Sequence, residues 1–216
     1  MSDNKSTKEV LLVTAGKLFA KFGYDGVSTR MITDEAGLKL SSIHYHYGSK
    51  ENLYIEAFRY AKNRGVRICF TDVAEENPAL MDSPEGQAEI IRSTVYRRFH
   101  DYFRPDRPAW EIEILMQEVI KPSAAFEMLS EKLFKPEIES AESFFRCIKP
   151  DASELEAHVW TDMFHGQLVF YSMIRESMKR LRWAVPVDVA YLQAVSRNLS
   201  RALILVLDLP LPRDLK

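Results

Sequence analysis

Cysteine is scarce in this sequence of 216 residues. Cys69 and Cys147 are the only two, and they stand far apart and outside any Cys-x-x-Cys pattern. This spacing excludes a disulfide scaffold and a cysteine zinc site, because both need several suitably spaced thiols. We expect two ordinary reduced thiols.

Long apolar runs are missing as well. The longest aliphatic run, Ala202 to Leu207, is much shorter than the roughly 20 residues that cross a bilayer. The first residues, MSDNKSTKEV, are polar and lack the apolar core of a signal peptide. We therefore expect a cytoplasmic protein that does not bind a membrane.

The chain also has no large excess of charge of one sign. Its formal net charge is −2 and its pI is near 6.2, with 46% hydrophobic and 28% charged residues. This composition is typical of a globular protein and does not support a protein that coats nucleic acid through bulk positive charge. This composition does not exclude a local basic patch on the surface.

Signals for β-strands are nearly absent. Apolar and polar residues do not alternate over any sustained stretch, and no Asn-Gly or Asp-Gly turn joins two β-branched runs. Helical spacing dominates instead: Leu11, Ala15, Leu18 and Phe22 follow one another at steps of four, three and four. The sequence therefore predicts an all-α fold, with a first helix from Ser6 to Phe22.

Three further helices are predicted before residue 75. A short one runs from 30 to 36 with Thr29 as its N-cap, a second from Ser41 to Tyr47, and a long one from Ser49 to about Val73. Two short helices joined by a turn and packed on a longer first helix make a helix-turn-helix. Later helices are predicted at 84–103, 108–119, 122–147, 152–182 and 187–207, with a kink or split at Pro136.

The stretch GKLFAKFGYDGVSTRMITDEAGLKLSSIHYHYGSKENLYIEAF resembles the N-terminal domain of the tetracycline-repressor (TetR) family of bacterial transcription regulators. The likeness rests on Phe-x-x-x-Gly before a loop, Thr29 at the second helix, Ala-Gly-Leu at the turn, an aromatic third helix and Lys50 after it. It implies a DNA-binding domain over residues 6–52 and a helical ligand-binding and dimerisation domain over 53–216. It also implies a repressor that binds a palindromic operator in double-stranded DNA as a homodimer and is released by a small molecule.

The resemblance also implies which residues contact DNA. The third helix would enter the major groove, while the helix ends at Thr29 and Lys50 would bind phosphates. The implied contacts are Thr29, Arg30, Lys39, Leu40, Ser41, Ser42, His44, Tyr45, His46 and Lys50. Many relatives carry tyrosine at the position of His44. A metal site at His44 and His46 is disfavoured, because residues two apart on a helix point away from each other.

One number argues mildly against DNA binding. Residues 1–52 contain seven Lys or Arg and six Asp or Glu, a net charge of +1. So weak a charge cannot hold DNA by counterion release alone, so we expect a dimer that doubles the contacts. The last two predicted helices would form a four-helix bundle with a second subunit.

The stretch from Arg107 to Pro136, with HGQLVFYSMIRESM further on, resembles the C-terminal domain of the CecR-type branch of this family. Aromatic and methionine side chains are dense here and suit a pocket for an apolar or amphipathic inducer. The predicted lining residues are Trp110, Met116, Phe126, Phe134, Phe144, Trp160, Phe164, His165 and Tyr171. No cofactor and no catalytic residue are predicted.

Two rival interpretations stay open. His158, Asp162 and His165 share one helical face, so a helical-bundle enzyme with a metal centre is one alternative. Against it, the chain has no Glu-x-x-His metal motif, nucleophile triad or phosphate loop. The other alternative is an interaction protein that has kept the fold and lost DNA binding, which Leu40, His44 and the weak basic charge of the first domain suggest.

Overall fold

A computed structural model describes residues 6–65, 68–104, 106–181 and 188–216, with only the backbone for residues 174–179 and 181. Across these ranges the chain forms helices and no strand, as the sequence predicts. The α-helices are α1 (Thr7–Phe22), α2 (Thr29–Ala36), α3 (Ser41–Tyr47), α4 (Lys50–Arg64), α5 (Phe70–Glu76), α6 (Pro84–Phe103), α7 (Ala109–Ile120), α8 (Phe126–Leu129), α9 (Lys135–Ile148), α10 (Glu154–Leu181) and α11 (Val189–Val206). In these ranges we find no helix that combines the length and the hydropathy of a bilayer span.

The chain divides into two compact units. The first comprises Met1–Gly65 and Asp106–Lys132, and the second comprises Val66–Pro105 and Leu133–Lys216. The helix-turn-helix elements α1 to α4 therefore belong to the same compact unit as α7, which the chain reaches only about forty residues later.

In the first unit, α1 packs against α2, α4 and α7. Its buried side chains include Leu11, Ala15 and Phe19, each with no exposed surface. The predicted stripe through Leu18 and Phe22 is wrong at its end, because Phe22 is 47% exposed. A stripe through Leu11, Ala15 and Phe19 follows a helical period as well as the predicted stripe does. The packing of α4 and α7 against α1 buries the stripe through Phe19.

The long helix predicted from Ser49 to Val73 is also wrong. α4 ends at Arg64, where Gly65 turns the backbone to an extended conformation, and a separate helix α5 begins at Phe70. Residues 66 and 67 lie outside the described part of the chain. Gly65 was the available sequence signal, since glycine weakens a helix by about 1 kcal/mol relative to alanine.

The helix predicted over 122–147 begins at Phe126 and runs without a break to Ile148, although its hydrogen-bond pattern changes just before Pro136. A short α8 and a π-helical segment, Ser130–Phe134, precede α9, which begins at Lys135 with the proline in its first turn. Proline lacks the N–H that would continue a regular α-helical ladder, which agrees with the π-helical pattern directly before it. The other late helices match the prediction within two residues, although residues 182 and 187 of the predicted ends lie outside the described ranges.

In the second unit, α6 packs against α5 and α11, and α9 packs against α10. Phe70 of α5 lies at the centre of an aromatic cluster, with ring centroids 5.2 Å from Phe144, 5.2 Å from Trp160 and 5.0 Å from Phe164. The Trp160 indole N–H donates to the Leu203 carbonyl at 3.1 Å. This cluster fixes α5, α9, α10 and α11 around one core.

Candidate nucleic-acid interface

The N-terminus of α2 is capped by Ser28 and not by Thr29 as predicted. The Ser28 backbone is extended, and its Oγ accepts the Met31 backbone N–H at 3.1 Å. Thr29 is the first residue of the helix and is half-exposed. Ser28 and Thr29 are adjacent capping residues, and the extended backbone of Ser28 decides between them. Thr29 stays at an exposed helix N-terminus, where N–H groups without acceptors attract anions.

Left-handed glycines set the limits of α3. Gly37, at φ 66°, ends α2, and Gly48, at φ 77°, ends α3. Residues other than glycine rarely adopt these angles. Gly37 therefore separates α2 from α3, and Gly48 ends α3 after the seven residues that the sequence predicts.

The two faces of α3 differ sharply. Ile43 is fully buried and Tyr47 is 8% exposed, and the Tyr47 hydroxyl donates to the Lys8 carbonyl of α1 at 2.7 Å. In contrast, Leu40 is 50% and Tyr45 is 85% exposed. The predicted inward pair is confirmed. The remaining α3 surface also contains the exposed residues Lys39, Ser41 and His44 and the half-buried residues Ser42 and His46.

One ring nitrogen of His44 contacts the backbone at the C-terminal end of its own helix. Its Nδ1 lies 2.9 Å from the Gly48 carbonyl oxygen. A carbonyl only accepts hydrogen bonds, so Nδ1 carries the proton and Nε2 is the nitrogen available to another molecule. A neutral His44 thus offers an acceptor, and only its protonated form offers a donor to a phosphate. The neighbouring His46 instead packs edge-on against the Tyr45 ring, with the centroids 4.8 Å apart.

The basic side chains around this surface have few competing partners. Arg30 is 86% exposed and lies 3.7 Å from Asp34, a spacing that gives a weak surface ion pair. The ammonium of Lys50, at the first position of α4, lies 4.1 Å from the centroid of the Tyr24 ring. Ser49 caps α4 by accepting the Asn52 N–H at 3.0 Å. The arrangement presents two helix N-termini, the cations of Arg30 and Lys50, and the exposed face of a short helix on the first unit.

The predicted ligand-lining residues do not all lie in one unit. Trp110, Met116 and Phe126 belong to the first unit. There, Trp110 is 7% exposed and stacks on Tyr60 with centroids 6.1 Å apart, and Met116 is 6% exposed. Phe126 is half-buried. The first two side chains fill the core next to α1 and α4.

The other predicted lining residues belong to the second unit. Phe144, Trp160 and Phe164 are at most 2% exposed and fill the cluster around Phe70. Phe134 and Tyr171 are half-buried. His165 is also half-buried, and its Nδ1 lies 3.1 Å from the Thr161 carbonyl oxygen. Most of these aromatic side chains therefore form packed core.

A groove that the sequence reasoning missed lies between α6 and α11 in the second unit. Its cavity volume is about 80 Å³. Its lining is Tyr96, Phe99, His100, Phe103, Arg104, Val189, Leu192, Gln193 and Ser196. The missed signal is the recurrence of Tyr96, Phe99, His100 and Phe103 at steps of three and one on α6. The lining is mainly apolar and aromatic, with Arg104 and His100 as basic groups.

The stripe of His158, Asp162 and His165 does not form a metal centre. The His158 Nδ1 pairs with the carboxylate of Glu142 on α9. Asp162 is exposed, while His165 bonds to its own helix backbone. Within the described ranges, no three His, Cys, Asp or Glu side chains converge closely enough to hold a metal ion.

Comparison with protein families gives two matches. The family described as bacterial regulatory proteins, tetR family, matches residues 11–57. The C-terminal domain of the HTH-type transcriptional dual regulator CecR matches residues 88–207, more than half of the chain. The two matches do not overlap.

Two curated relatives are similar over part of their length. The HTH-type transcriptional dual regulator CecR of Shigella flexneri is 25% identical over 135 residues, which cover 61% of this chain and 60% of that protein. The HTH-type transcriptional repressor AcnR of Corynebacterium glutamicum is 26% identical over 81 residues, 37% of this chain and 43% of that protein. The chain thus spans less than two thirds of either relative.

Solved structures share the fold. AibR, solved in complex with isovaleryl coenzyme A and operator DNA, aligns with a TM-score of 0.62 and 15% identity over 92% of this chain and 98% of that chain. A linker-substituted mutant of HlyIIR aligns with a TM-score of 0.59 and 23% identity over 91% and 96%. At these identities the likeness concerns the fold alone.

Proposed function

Since this chain belongs to the TetR family of bacterial regulatory proteins and has the CecR type of C-terminal domain, we propose that it is a ligand-responsive transcription repressor. It binds a palindromic or pseudo-palindromic operator as a homodimer, and a small molecule releases it. It acts in the cytoplasm and has no catalytic residue. The two curated relatives are named as transcription regulators.

The observation that supports DNA binding most directly is the division of α3 into two faces. Ile43 and Tyr47 are buried, while Leu40 and Tyr45 are exposed to solvent. A major groove accepts a helix of this kind, whose outer side chains meet base edges. In this proposal Leu40, Ser41 and Ser42 read bases together with Tyr45.

The flanking groups bind the DNA backbone. Thr29 and Arg30 lie at the N-terminus of α2, Lys39 precedes α3, and Lys50 begins α4. Backbone N–H groups at helix N-termini and basic side chains both bind phosphates, and such contacts fix the register of a reading helix. His44 and His46 contribute at the same surface, with His44 donating only when it is protonated.

A homodimer fits the weak charge of the DNA-reading surface. With a net charge of only +1 over residues 1–52, one subunit would bind DNA weakly at cellular salt concentrations, whereas two subunits double the phosphate contacts. The α10 helix supplies exposed apolar side chains for subunit contact: Leu155 at 70%, Val159 at 52%, Phe170 at 46% and Met173 at 48% exposure. They recur at helical spacing along one helix, as a subunit interface requires.

The inducer is an apolar or amphipathic small molecule. The groove between α6 and α11 supports this class, because Phe99, Phe103 and Leu192 form an apolar lining and Arg104 adds a basic group. A ligand that binds the DNA-free state more tightly than the DNA-bound state must weaken DNA binding by linkage. Successive major grooves on one face of DNA lie about 34 Å apart. A ligand that changes the distance between the two DNA-binding domains of the dimer therefore prevents both from binding the operator at once.

Selection of DNA from a random pool tests the proposal and requires no assumption about the operator sequence. The purified protein is incubated with random-sequence duplexes, and bound duplexes are amplified through several rounds. We expect enrichment of an inverted repeat. On that duplex, Arg30→Ala and Lys50→Ala should each weaken binding and reduce the slope of log affinity against log salt by about 0.9 per lost contact. Lys121→Ala, at the end of α7, removes the same charge outside the proposed surface and serves as the control.

Two results would contradict the proposal. Enrichment of no sequence would indicate an interaction protein without DNA binding. Unchanged affinity in both Arg30→Ala and Lys50→Ala would show that DNA binds elsewhere on the chain.

A further inference from the structure

Lys50 is held by an aromatic ring instead of a carboxylate. Its ammonium lies 4.1 Å from the centroid of the Tyr24 ring, well inside the roughly 6 Å range of a cation–π contact. Over the part of the chain that the structure describes, no carboxylate oxygen pairs with this ammonium within 4.0 Å. The lysine is therefore oriented without a direct ion pair.

The Tyr24 ring is itself fixed by the core of the first unit. It lies 6.0 Å from the ring of Phe19, nearly parallel at 24°, and 5.0 Å from the ring of Tyr54. Phe19 is fully buried and Tyr54 is 1% exposed. The Tyr54 hydroxyl in turn donates to the buried carboxylate of Glu118. Buried side chains that cannot rotate freely therefore hold the Tyr24 ring in position.

We propose that Tyr24 is a positioning residue for DNA binding, whose ring face holds the Lys50 ammonium at the N-terminus of α4 for a phosphate. The inference rests on the proposed function and adds a residue to it. An orienting carboxylate would neutralise the charge that counterion release depends on, whereas a ring quadrupole orients the cation and leaves its charge in place.

Arg30 in the same unit illustrates the difference. Its guanidinium lies 3.7 Å from Asp34, so an approaching phosphate competes with a carboxylate there. Among the described residues, Lys50 has no such competitor. In a region with a net charge of only +1, a preoriented cation without a direct ion pair contributes a large share of the phosphate binding, because it loses less side-chain freedom on binding. Burial, together with Glu51 and Asp25, raises the pKa of the Tyr24 phenol, which keeps the ring neutral.

A double-mutant cycle on the selected duplex measures the coupling. Tyr24→Leu should weaken binding roughly two- to fivefold per subunit, which is a cation–π energy of about 0.5–1 kcal/mol converted at 1.4 kcal/mol per tenfold. Tyr24→Phe keeps a ring and should bind as the wild type does. Lys50→Gln should lower the salt slope by about 0.9 per subunit. In the Lys50→Gln background, Tyr24→Leu should have no further effect, whereas an equal loss in both backgrounds would overturn the proposal.

A measurement without DNA keeps the inference separate from the proposed function. In the NMR spectrum of the wild-type protein, the ε-methylene protons of Lys50 should be shifted upfield by the ring current of Tyr24, relative to those of the exposed Lys17. The shift should persist in Tyr24→Phe. Its absence from the wild type would overturn the proposal, whether or not Tyr24→Leu folds. If the shift is present but no duplex is enriched, the proposed function fails and the positioning role fails with it. If a duplex is enriched but the effects of Tyr24→Leu and Lys50→Gln on binding simply add, only the role of Tyr24 is refuted.

Discussion

The indole of Trp110 occupies the space in which a side chain at position 16 would lie. A Cβ atom built on Gly16 would stand 2.3 Å from Cζ3 of Trp110, and two further ring atoms lie within 2.8 Å of it. Gly16 is buried in the middle of α1, and Trp110 belongs to α7. The close approach of these two helices in the first unit therefore depends on the smallest residue facing the largest.

Gly16→Ala should destabilise the protein. Overpacking of a filled core costs about 1–3 kcal/mol, which outweighs the roughly 0.5–1 kcal/mol that alanine gains over glycine inside a helix. Gly166→Ala is the comparison, because a Cβ at Gly166 on α10 would meet nothing within 4 Å of the same chain; since Gly166 lies on the proposed subunit face, both substitutions are made in the Val159→Asp background, which should be monomeric. That variant should be stabilised, and urea unfolding of both measures the difference. Equal effects at the two positions would show that Trp110 is free to move.

Glu137→Gln should be strongly destabilising. The Arg98 guanidinium donates to both carboxylate oxygens of Glu137, at 3.1 and 2.7 Å, and the two side chains are only 3% and 8% exposed. Loss of the carboxylate charge would leave a buried cation uncompensated, at a cost of about 3–5 kcal/mol. Asp34→Asn removes an acid from the exposed pair with Arg30 and should cost less than about 1 kcal/mol. Thermal or urea unfolding would contradict the prediction if the two variants lost similar stability.

Stability should fall at alkaline pH through Tyr47. Burial, and secondarily the negative charge of Glu56, raises the pKa of Tyr47 to about 12, against about 10 in an unfolded chain. The folded state therefore binds this proton more tightly, so its contribution is complete below about pH 10 and is lost as the pH rises toward 12. Tyr47→Phe cannot titrate and should show a shallower loss between these values. Urea unfolding from pH 8 to pH 11.5 measures how the free energy of unfolding changes with pH. Tyr45→Phe is the control, since Tyr45 is 85% exposed. An equal loss of stability with pH in both variants would contradict the assignment.

Val159→Asp and Phe170→Asp should separate the proposed dimer. Both side chains are about half exposed on α10, and burial of a carboxylate in an apolar subunit contact is unfavourable. Ile138→Asp makes the same change at a 41% exposed residue of α9 and should leave the dimer intact. Sedimentation equilibrium distinguishes the species. A dimer that survives both α10 substitutions would place the subunit contact elsewhere, and a monomeric wild type would remove the proposed assembly.

The sequence by itself determined the helical class, the limits of α3 and the inward pair Ile43 and Tyr47. These features depend on local properties: a 3.6-residue period, and glycines at 37 and 48 that accept left-handed backbone angles. The DNA-contact residues follow from a resemblance in the same short segment and remain predictions. So do the proposed ligand and the division at residue 52.

Only the tertiary structure decided which of several locally equivalent choices is realised. Leu18 and Phe22 satisfy the period of α1 as well as Phe19 does, but the packing of α4 and α7 buries Phe19. Trp110 could equally have lined a pocket, yet it fills the space above Gly16. The contact of Lys50 with Tyr24 joins the first residue of α4 to the turn that follows α1. Such choices depend on contacts between residues distant in sequence, and a periodic pattern contains no information about which distant partner a face will meet.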